Sequence, residues 1–299
     1  MPPLHRAYLS LVIGVPLLAG LAACSPLAVI NALSPAGAAD VTAGVAYGGG
    51  PRNKLDIYRP LHADGAAPVV VFFYGGNWTS GERGDYAFVG RALAARGIVA
   101  VVADYRLYPE VGYPSFLDDA AQAVAWTYRE VARYGGDPRR LFVMGHSAGA
   151  YNAAMLALDG RWLAKQGMTP QVLRGWIGLA GPYDFLPIEN PQARLVFHFP
   201  DTRPDSQPYN HAAAGAPPAL LIAARHDKLV DPVRNTGGLA YRLRTDGNQV
   251  SEDYFDLVNH ETLVATLAAP LRWLAPTLDD VVRFVEDTPA QPPRPVPAR

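Results

Sequence analysis

Five short runs of apolar residues along the chain are continuous rather than alternating with polar ones. They cover residues 69–73, 98–103, 141–144, 176–180 and 219–223. A strand with alternating residues exposes one face to water, whereas a continuous apolar run is buried on both faces, as in a parallel sheet covered by helices. The runs therefore predict the core strands of a mostly parallel sheet.

Helical stretches separate these runs. They lie at 85–96, 115–134, 148–159 and 232–244. Pro114 precedes the second stretch, where Ser115 with Asp118 resembles a capping box. Two earlier segments, 41–47 and 55–58, alternate roughly and predict a strand pair at the sheet edge. Strands that alternate with helices predict an α/β fold, a mostly parallel sheet flanked by helices with right-handed crossovers.

The first 23 residues predict a signal peptide, because the basic residues His5 and Arg6 precede an interrupted apolar run over 7–23. Leu21-Ala22-Ala23-Cys24 resembles a bacterial lipobox, in which the cysteine is lipidated and becomes the mature N-terminus. Ser25 after the cysteine resembles the pattern sent to the outer membrane of Gram-negative bacteria. We therefore expect a lipoprotein of the bacterial envelope. The alternative is a plain secretory signal cleaved elsewhere, which would leave a soluble periplasmic or secreted protein.

The remaining residues divide by composition. Small and proline-containing residues at 24–40 predict a tether, and the proline-rich residues 288–299 predict a disordered tail. One folded domain is expected over 41–287. Within it, residues 187–217 show no clear period and are interrupted by prolines, so we expect this segment to form a small cap over the functional site.

Composition excludes several classes of partner. The formal net charge of −1 gives no basic excess to favour nucleic acid. Cys24 is the single cysteine of the chain, which excludes an internal disulfide and a multi-cysteine metal site. We expect neither a metal nor a cofactor.

The pattern Gly145-His146-Ser147-Ala148-Gly149 follows the apolar run 141–144 and leads into small residues that favour a closely packed helix. A strand, G-x-S-x-G and a helix in this order are typical of a nucleophilic serine on a sharp turn. The strained turn requires glycine on both sides of the serine. Ser147 is therefore the candidate nucleophile.

A nucleophilic serine needs a base to accept its proton and an acid to orient that base. Asp227 follows the apolar run 219–223 and is the candidate acid, since the rival Asp231 precedes Pro232 and resembles a helix N-cap. His260 lies between the alternating segment 253–258 and a predicted helix start, where the base is expected. Six further histidines fit less well. Among them, His146 is expected to pack beside the nucleophile, and for His198 in the cap a substrate contact and plain exposure stay open.

An acyl-transfer site also needs donors for the oxyanion. The run 69–73 ends in Tyr74-Gly75-Gly76-Asn77-Trp78, a glycine turn whose amides can point at a developing negative charge. A phosphate-binding loop is the alternative, but neither G-K-[ST] nor G-x-G-x-x-G follows. We predict that the amides of Gly76, Asn77 and Ala148 form the oxyanion hole.

These motifs together resemble the α/β-hydrolases of the carboxylesterase group that carry a His-Gly-Gly-x-Trp loop. This group includes hormone-sensitive-lipase-like esterases, feruloyl and acetylxylan esterases, and kynurenine formamidases. The resemblance covers roughly residues 45–275 and rests on Gly75-Gly76-Asn77-Trp78, Asp104-Tyr105-Arg106-Leu107 with Pro109, Gly145-His146-Ser147-Ala148-Gly149, Gly181-Pro182-Tyr183-Asp184, Asp227 with Val230, and His260.

One departure from the family pattern is Tyr74, which stands where the family usually has the loop histidine. That histidine orients the loop rather than reacting, so the oxyanion hole is expected to survive. In similar proteins the stretch with Asp104 and Arg106 braces the same loop, and we expect structural support from both residues here.

The resemblance implies a serine hydrolase that acts on short-chain acyl or aryl carboxylic esters, small-molecule substrates, through a Ser-His-Asp triad and an acyl-enzyme. Two alternatives stay open: an amide hydrolase of the kynurenine formamidase kind, and a binding module on an inactive hydrolase fold. The candidate pocket residues are Trp78, His146, Tyr183, Phe185 and His198. For the aromatic residues Trp78, Tyr183 and Phe185, packing in the core is the equal alternative.

Overall fold

The computed structural model describes residues 26–35, 37, 39–62 and 65–290. Its strands are β1 Asp40–Ala46, β2 Lys54–Arg59, β3 Ala67–Phe73, β4 Val99–Ala103, β5 Gly136–His146, β6 Gly175–Leu179, β7 Ala219–Ala224 and β8 Val250–Phe255. Within these residues they form one eight-stranded sheet in the order β1-β2-β4-β3-β5-β6-β7-β8. The pairs β1–β2 and β2–β4 are antiparallel, and every other pair is parallel.

All five continuous apolar runs lie on sheet strands. Every residue of β3, β4, β6 and β7 is buried, as expected for strands covered on both faces. The edge strand β1 is exposed or half-buried throughout. The predicted α/β fold with a mostly parallel, helix-flanked sheet is therefore confirmed.

The helices cover both faces of this sheet. They are α1 Pro26–Leu33, α2 Ala87–Ala94, α3 Ser115–Glu130, α4 Ala148–Leu158, α5 Gly160–Ala164, α6 Pro191–Val196, α7 Gly238–Thr245, α8 His260–Ala265 and α9 Thr277–Asp287. The predicted helix over 232–244 is a π-helical turn, Val233–Gly237, that continues into α7. Within the described part of the chain, no helix is both long and apolar enough to cross a membrane.

The predicted tether at 24–40 contains a helix, α1, that is attached to the domain. The side-chain amide of Asn31 donates to the carbonyls of Gly84 (3.0 Å) and Asp85 (2.9 Å), and its oxygen accepts from the Phe88 amide (2.8 Å). Asn31 thus satisfies an amide at the start of α2, where backbone donors lack partners within the helix. Residues 26–33 of the predicted tether are therefore a helix that this polar contact docks on the domain.

The two chain ends are described in part. The predicted signal peptide over 1–23 and the predicted lipidation site Cys24 lie outside the described residues. Of the predicted tail 288–299, residues 288–290 are described, and the Pro289 carbonyl accepts from Arg174 Nε at 2.6 Å.

The predicted cap over 187–217 contains α6 and two short 3-10 turns, Pro204–Ser206 and Pro208–His211. Asn190 caps α6 by accepting from the amides of Gln192 (2.9 Å) and Ala193 (3.0 Å). The Gln192 side chain then accepts from Asn77 Nδ2 at 3.0 Å, which ties the cap to the loop after β3.

Candidate active site

The turn that carries Ser147 joins the end of β5 to the start of α4. Ser147 has φ 54° and ψ −121°, a strained conformation for a residue with a side chain. A Cβ at Gly145 would lie 2.1 Å from the Gly149 carbonyl carbon, and a Cβ at Gly149 would lie 1.9 Å from the Phe73 carbonyl oxygen. The two glycines are therefore required because the turn packs against itself and against β3.

Three buried side chains from separate parts of the sequence meet at this turn. His260 Nε2 lies 2.8 Å from Ser147 Oγ, and His260 Nδ1 lies 2.7 Å from Asp227 Oδ2. A carboxylate at Nδ1 holds the ring proton there and leaves the Nε2 lone pair free to accept the serine proton. The structure thus brings together the three residues predicted as nucleophile, acid and base.

The two carboxylate oxygens of Asp227 have different hydrogen-bond partners. Oδ1 accepts from the amides of Leu229 (2.8 Å) and Val230 (3.0 Å), while Oδ2 faces His260. Burial opposes ionisation, yet the hydrogen bond and charge of His260, together with the two amides, lower the pKa of Asp227. Its rival Asp231 accepts from the amides of Val233 (2.9 Å) and Arg234 (3.1 Å), the N-cap arrangement expected for it.

The loop after β3 turns by means of consecutive residues in the left-handed region, with φ 123° at Gly76 and 51° at Asn77. A Cβ at Gly76 would lie 2.3 Å from the Ser80 carbonyl oxygen, so this position requires glycine. Among the described residues, the backbone amides of Gly76 and Asn77 donate to no group. Ala148 is the first residue of α4, where backbone amides lack partners within the helix. All three predicted oxyanion donors line the same cleft as Ser147.

Tyr74 fixes the start of this loop through its phenol. The hydroxyl donates to Asp104 Oδ1 (2.9 Å) and accepts from Arg52 Nη2 (2.6 Å). The ring is stacked between Tyr86 and Tyr105, with centroid distances of 5.6 Å and 4.8 Å. Burial raises the pKa of Tyr74 well above its usual range, so the phenol remains a donor. This contact provides the orientation expected of the loop histidine in the family.

Asp104 and Arg106 are both engaged in structural contacts. Asp104 accepts from the Arg83 amide (2.8 Å) and forms an ion pair with the Arg83 guanidinium. Arg106 Nε and Nη2 bind the buried carboxylate of Asp119, at 2.8 Å from Oδ2 and Oδ1 respectively. Neither Asp104 nor Arg106 lines the cleft, in agreement with their predicted supporting role.

The cleft above Ser147 has a volume of ≈ 510 Å³. Three of the predicted pocket residues line it: Trp78, His146 and Phe185. Sequence reasoning missed other lining residues, including Tyr86, Asp184, Ile188, Glu189, Asn190, Ala193, Leu229, Val230, Asp231, Arg234 and Glu261. Tyr86, Arg234 and Glu261 lie on helical segments. The others lie in loops and in the cap, where the sequence has no period that would indicate which side chains face inward.

Two predicted pocket residues face elsewhere. Tyr183 is fully buried, packs edge-on against Trp176 at 6.0 Å and fills the space above Gly178. His198 lies with Nε2 2.9 Å from the Tyr113 carbonyl oxygen. Neither side chain lines the cleft. The prediction that Tyr183 and His198 line the pocket is therefore wrong, because one belongs to the core and the other supports the cap.

Trp78 serves both the core and the cleft. Its indole Nε1 donates to Asn152 Oδ1 at 3.1 Å. Its ring packs against Phe116, Tyr151 and Phe197, at centroid distances of 5.7, 5.1 and 4.8 Å. The aromatic cluster therefore holds the tryptophan rigidly while one side of it lines the cleft.

His146 connects the serine turn to the helix that begins with the base. Its Nε2 donates to the His260 carbonyl oxygen at 2.8 Å, and the two rings lie 5.1 Å apart. Burial, followed by the nearby His260, lowers the pKa of His146 to about 3. His146 is therefore a neutral donor beside the base. In the described part of the chain, no group of three or more His, Cys, Asp or Glu side chains is arranged to hold a metal ion.

Fold and site together define an α/β-hydrolase of the hormone-sensitive-lipase-like carboxylesterase type. The BD-FAE family model matches residues 55–239. The chain therefore belongs to the BD-FAE family.

The chain is also similar to named ester hydrolases, and a solved structure shares its fold. The chain is 39% identical over 161 residues to a probable isoprenylcysteine alpha-carbonyl methylesterase, ICMEL1, of Oryza sativa subsp. japonica, covering 52% of this chain and 36% of that protein. It is 30% identical over 259 residues to the probable carboxylic ester hydrolase LipM of Mycobacterium tuberculosis, covering 77% of this chain and 60% of LipM. The match thus spans little more than a third of the rice protein. A solved esterase of Pyrobaculum calidifontis has the same fold, with a TM-score of 0.71 at 23% identity over 87% of this chain and 88% of that one.

Proposed function

We propose that this protein is a serine hydrolase that cleaves carboxylic esters through an acyl-enzyme. The observation that carries the proposal is the continuous relay from Ser147 Oγ to His260 Nε2 (2.8 Å) and from His260 Nδ1 to Asp227 Oδ2 (2.7 Å). A binding module would not need this alignment in a buried, strained turn.

The chemistry follows from the positions of these groups. His260 Nε2 takes the proton of Ser147 as Oγ bonds to the ester carbonyl carbon, and the carbonyl oxygen becomes an oxyanion. Amides of Gly76, Asn77 and Ala148 stabilise that charge, and removal of such a donor typically costs roughly 3 kcal/mol. The bond to the alcohol oxygen then breaks as His260 returns the proton to it. Water repeats the sequence on the acyl-enzyme and releases the acid.

Esters are favoured over formamides as substrates. The rice relative is named a probable methylesterase and the mycobacterial relative a probable carboxylic ester hydrolase. The cap residues Ile188, Asn190 and Ala193 bound the cleft, and residues 187–217 form one short helix and two 3-10 turns rather than a long amphipathic lid for a lipid surface. We therefore expect acetyl and butyryl esters to be better substrates than long-chain esters or N-formyl aryl amides.

The decisive experiment compares Ser147→Ala with the matched variant Ser251→Ala, an exposed serine on β8. Turnover of an aryl acetate should fall at least about 10³-fold in Ser147→Ala and remain at the parent level in Ser251→Ala. A fluorophosphonate probe should label the parent and Ser251→Ala but not Ser147→Ala. Labelling of Ser147→Ala, or activity within tenfold of the parent, would exclude this nucleophile.

We also propose that Cys24 carries a lipid and anchors the enzyme in the bacterial envelope. The lipobox-like residues Leu21-Ala22-Ala23 before the cysteine support this proposal. Because α1 starts at Pro26 and is docked through Asn31, an acyl group on Cys24 would hold the domain close to the bilayer. Expressed with its own N-terminus in a Gram-negative host, the parent should sediment with membranes and Cys24→Ala should not. A periplasmic protein cleaved at another bond would refute the anchor and leave the hydrolase proposal intact.

A further inference from the structure

The mouth of the cleft carries more negative than positive charge. Its lining includes four carboxylates and one guanidinium: Asp184, Glu189, Asp231, Glu261 and Arg234. They come from the loop after β6, the cap, the loop after β7 and the start of α8. Four separate segments of the chain thus contribute charged side chains to the cleft.

The single guanidinium is already neutralised. Arg234 Nε and Nη2 lie 3.0 and 3.1 Å from the two oxygens of Asp184, and Arg234 also donates to the Leu186 carbonyl. The hydrogen bond with Asp184 raises the pKa of Arg234 most, and the charges of Asp184, Asp231 and Glu189 raise it further. Arg234 is thus held by carboxylates and does not offer a free cation to an anionic substrate.

Three lining carboxylates, those of Glu189, Asp231 and Glu261, form no ion pair within the described residues. Among the described residues, Glu189 and Glu261 form no ion pair or hydrogen bond through their side chains, and both are exposed. Asp231 is bound by two uncharged backbone amides, which leave its charge in place. Lys228, close in sequence, does not line the cleft. Clefts lined by one sign of charge concentrate ligands of the opposite sign.

The position of Glu261 indicates which part of an ester meets this charge. The alcohol oxygen must reach His260 Nε2 to receive its proton, so the alcohol part lies on the side where α8 begins. Glu261 is the second residue of α8, directly after the base, and lines the same cleft. The negative mouth therefore lies beside the alcohol part of the substrate.

We infer that the cleft selects esters whose alcohol part carries a positive charge, such as a quaternary or primary ammonium group, over neutral esters of the same shape. This inference rests on the proposed ester hydrolysis. It also predicts that esters with a carboxylate in the alcohol part are poor substrates.

A matched pair of substrates tests the inference. The first is the 2-(trimethylammonio)ethyl ester of butyric acid, and the second is the 3,3-dimethylbutyl ester, in which carbon replaces the charged nitrogen. In low-salt buffer, the parent should favour the charged ester by about 10-fold in kcat/KM. In 1 M salt the preference should largely vanish, because the screening length falls to about 3 Å.

Variants of Glu189 and Glu261 test whether these carboxylates cause the preference for the charged ester. The double variant Glu189→Gln/Glu261→Gln should lower the ratio of the two kcat/KM values several-fold, and Glu189→Lys should lower it too. Glu286→Gln, an exposed residue on α9 outside the cleft, should keep the parent ratio. Using the ratio cancels any general loss of activity in a variant.

The outcomes separate this inference from the proposed function. A ratio near one in the low-salt parent, or a ratio unchanged in the double variant, would overturn the charge selection while the neutral ester is still cleaved. If the parent cleaved neither ester and took no fluorophosphonate label, the hydrolase proposal itself would fail.

Discussion

Replacing Asp227 with asparagine tests the catalytic relay most sharply, because the structure determines how the new side chain must sit. The amides of Leu229 and Val230 both point at Oδ1, at 2.8 and 3.0 Å. Two N–H donors require an oxygen at that position, so the asparagine carbonyl oxygen must occupy it. The NH₂ group of the asparagine is then left facing His260 Nδ1, at the present distance of 2.7 Å.

This orientation changes which nitrogen of the imidazole carries the proton. Since an NH₂ group donates, His260 Nδ1 must become an acceptor and the ring proton must move to Nε2. A protonated Nε2 cannot accept the proton of Ser147, which now lies 2.8 Å away. Turnover should fall by about 10⁴, equivalent to roughly 5.5 kcal/mol of barrier, while the fold is retained.

The assay measures kcat/KM on an aryl acetate for the parent, Asp227→Asn and the matched variant Asp231→Asn. Asparagine caps a helix as well as aspartate does, so Asp231→Asn should change the free energy of unfolding by less than about 1 kcal/mol and turnover by less than tenfold. Near-parent activity in Asp227→Asn, together with a 10⁴-fold loss in Asp231→Asn, would move the acid to Asp231 and refute the reasoning.

Three further results are expected. The pKa of His146 is about 3 in the folded protein and roughly 6.5 in the unfolded chain. Between pH 3 and 6.5, the unfolded chain therefore binds one more proton at this residue than the folded protein does. The free energy of unfolding should consequently fall as the pH drops from about 6.5 towards 3, by up to about 1.4 kcal/mol per pH unit, and urea melts of His146→Gln should show a weaker dependence. Tyr74→Phe keeps the ring stack but loses both hydroxyl contacts, so thermal melts should show a free energy of unfolding lower by about 1.5–3 kcal/mol. An unchanged melting temperature would contradict a stabilising role for these two contacts. Gly76→Ala should lower kcat by about 10²–10³, because its Cβ would meet the Ser80 carbonyl oxygen at 2.3 Å; Gly215→Ala, at φ +84° with open space around it, should leave kcat unchanged.

The strands and the residues at their ends could be predicted from the sequence for a physical reason. Ser147 and Asp227 follow continuous apolar runs, and the carboxyl ends of neighbouring parallel strands meet at one edge of the sheet. A polar residue just after such a run therefore lies at this same edge of the sheet. His260 follows the half-buried strand β8 by five residues and begins α8.

The pocket could not be predicted in the same way, because loop residues have no period. Phe185 lines the cleft, whereas Tyr183, two residues earlier, packs in the core over Gly178. Nothing in the sequence of this loop distinguishes the two aromatic residues. The docking of α1 depends on one residue, Asn31, whose partners Gly84 and Asp85 are more than fifty positions away in the chain.

Two buried polar groups, the Tyr74 phenol and the His146 imidazole, hold parts of the site through contacts with residues other than Ser147. The phenol of Tyr74 fixes the oxyanion loop through Asp104 and Arg52, and the imidazole of His146 fixes the backbone of His260. Burial keeps both groups uncharged, since it raises the pKa of the phenol and lowers that of the imidazole. A neutral His146 also adds no positive charge beside His260, whose imidazolium must form during each cycle. Substitution of Tyr74, which does not line the cleft, should therefore lower kcat more than it raises KM, because it displaces the oxyanion donors without removing a substrate contact.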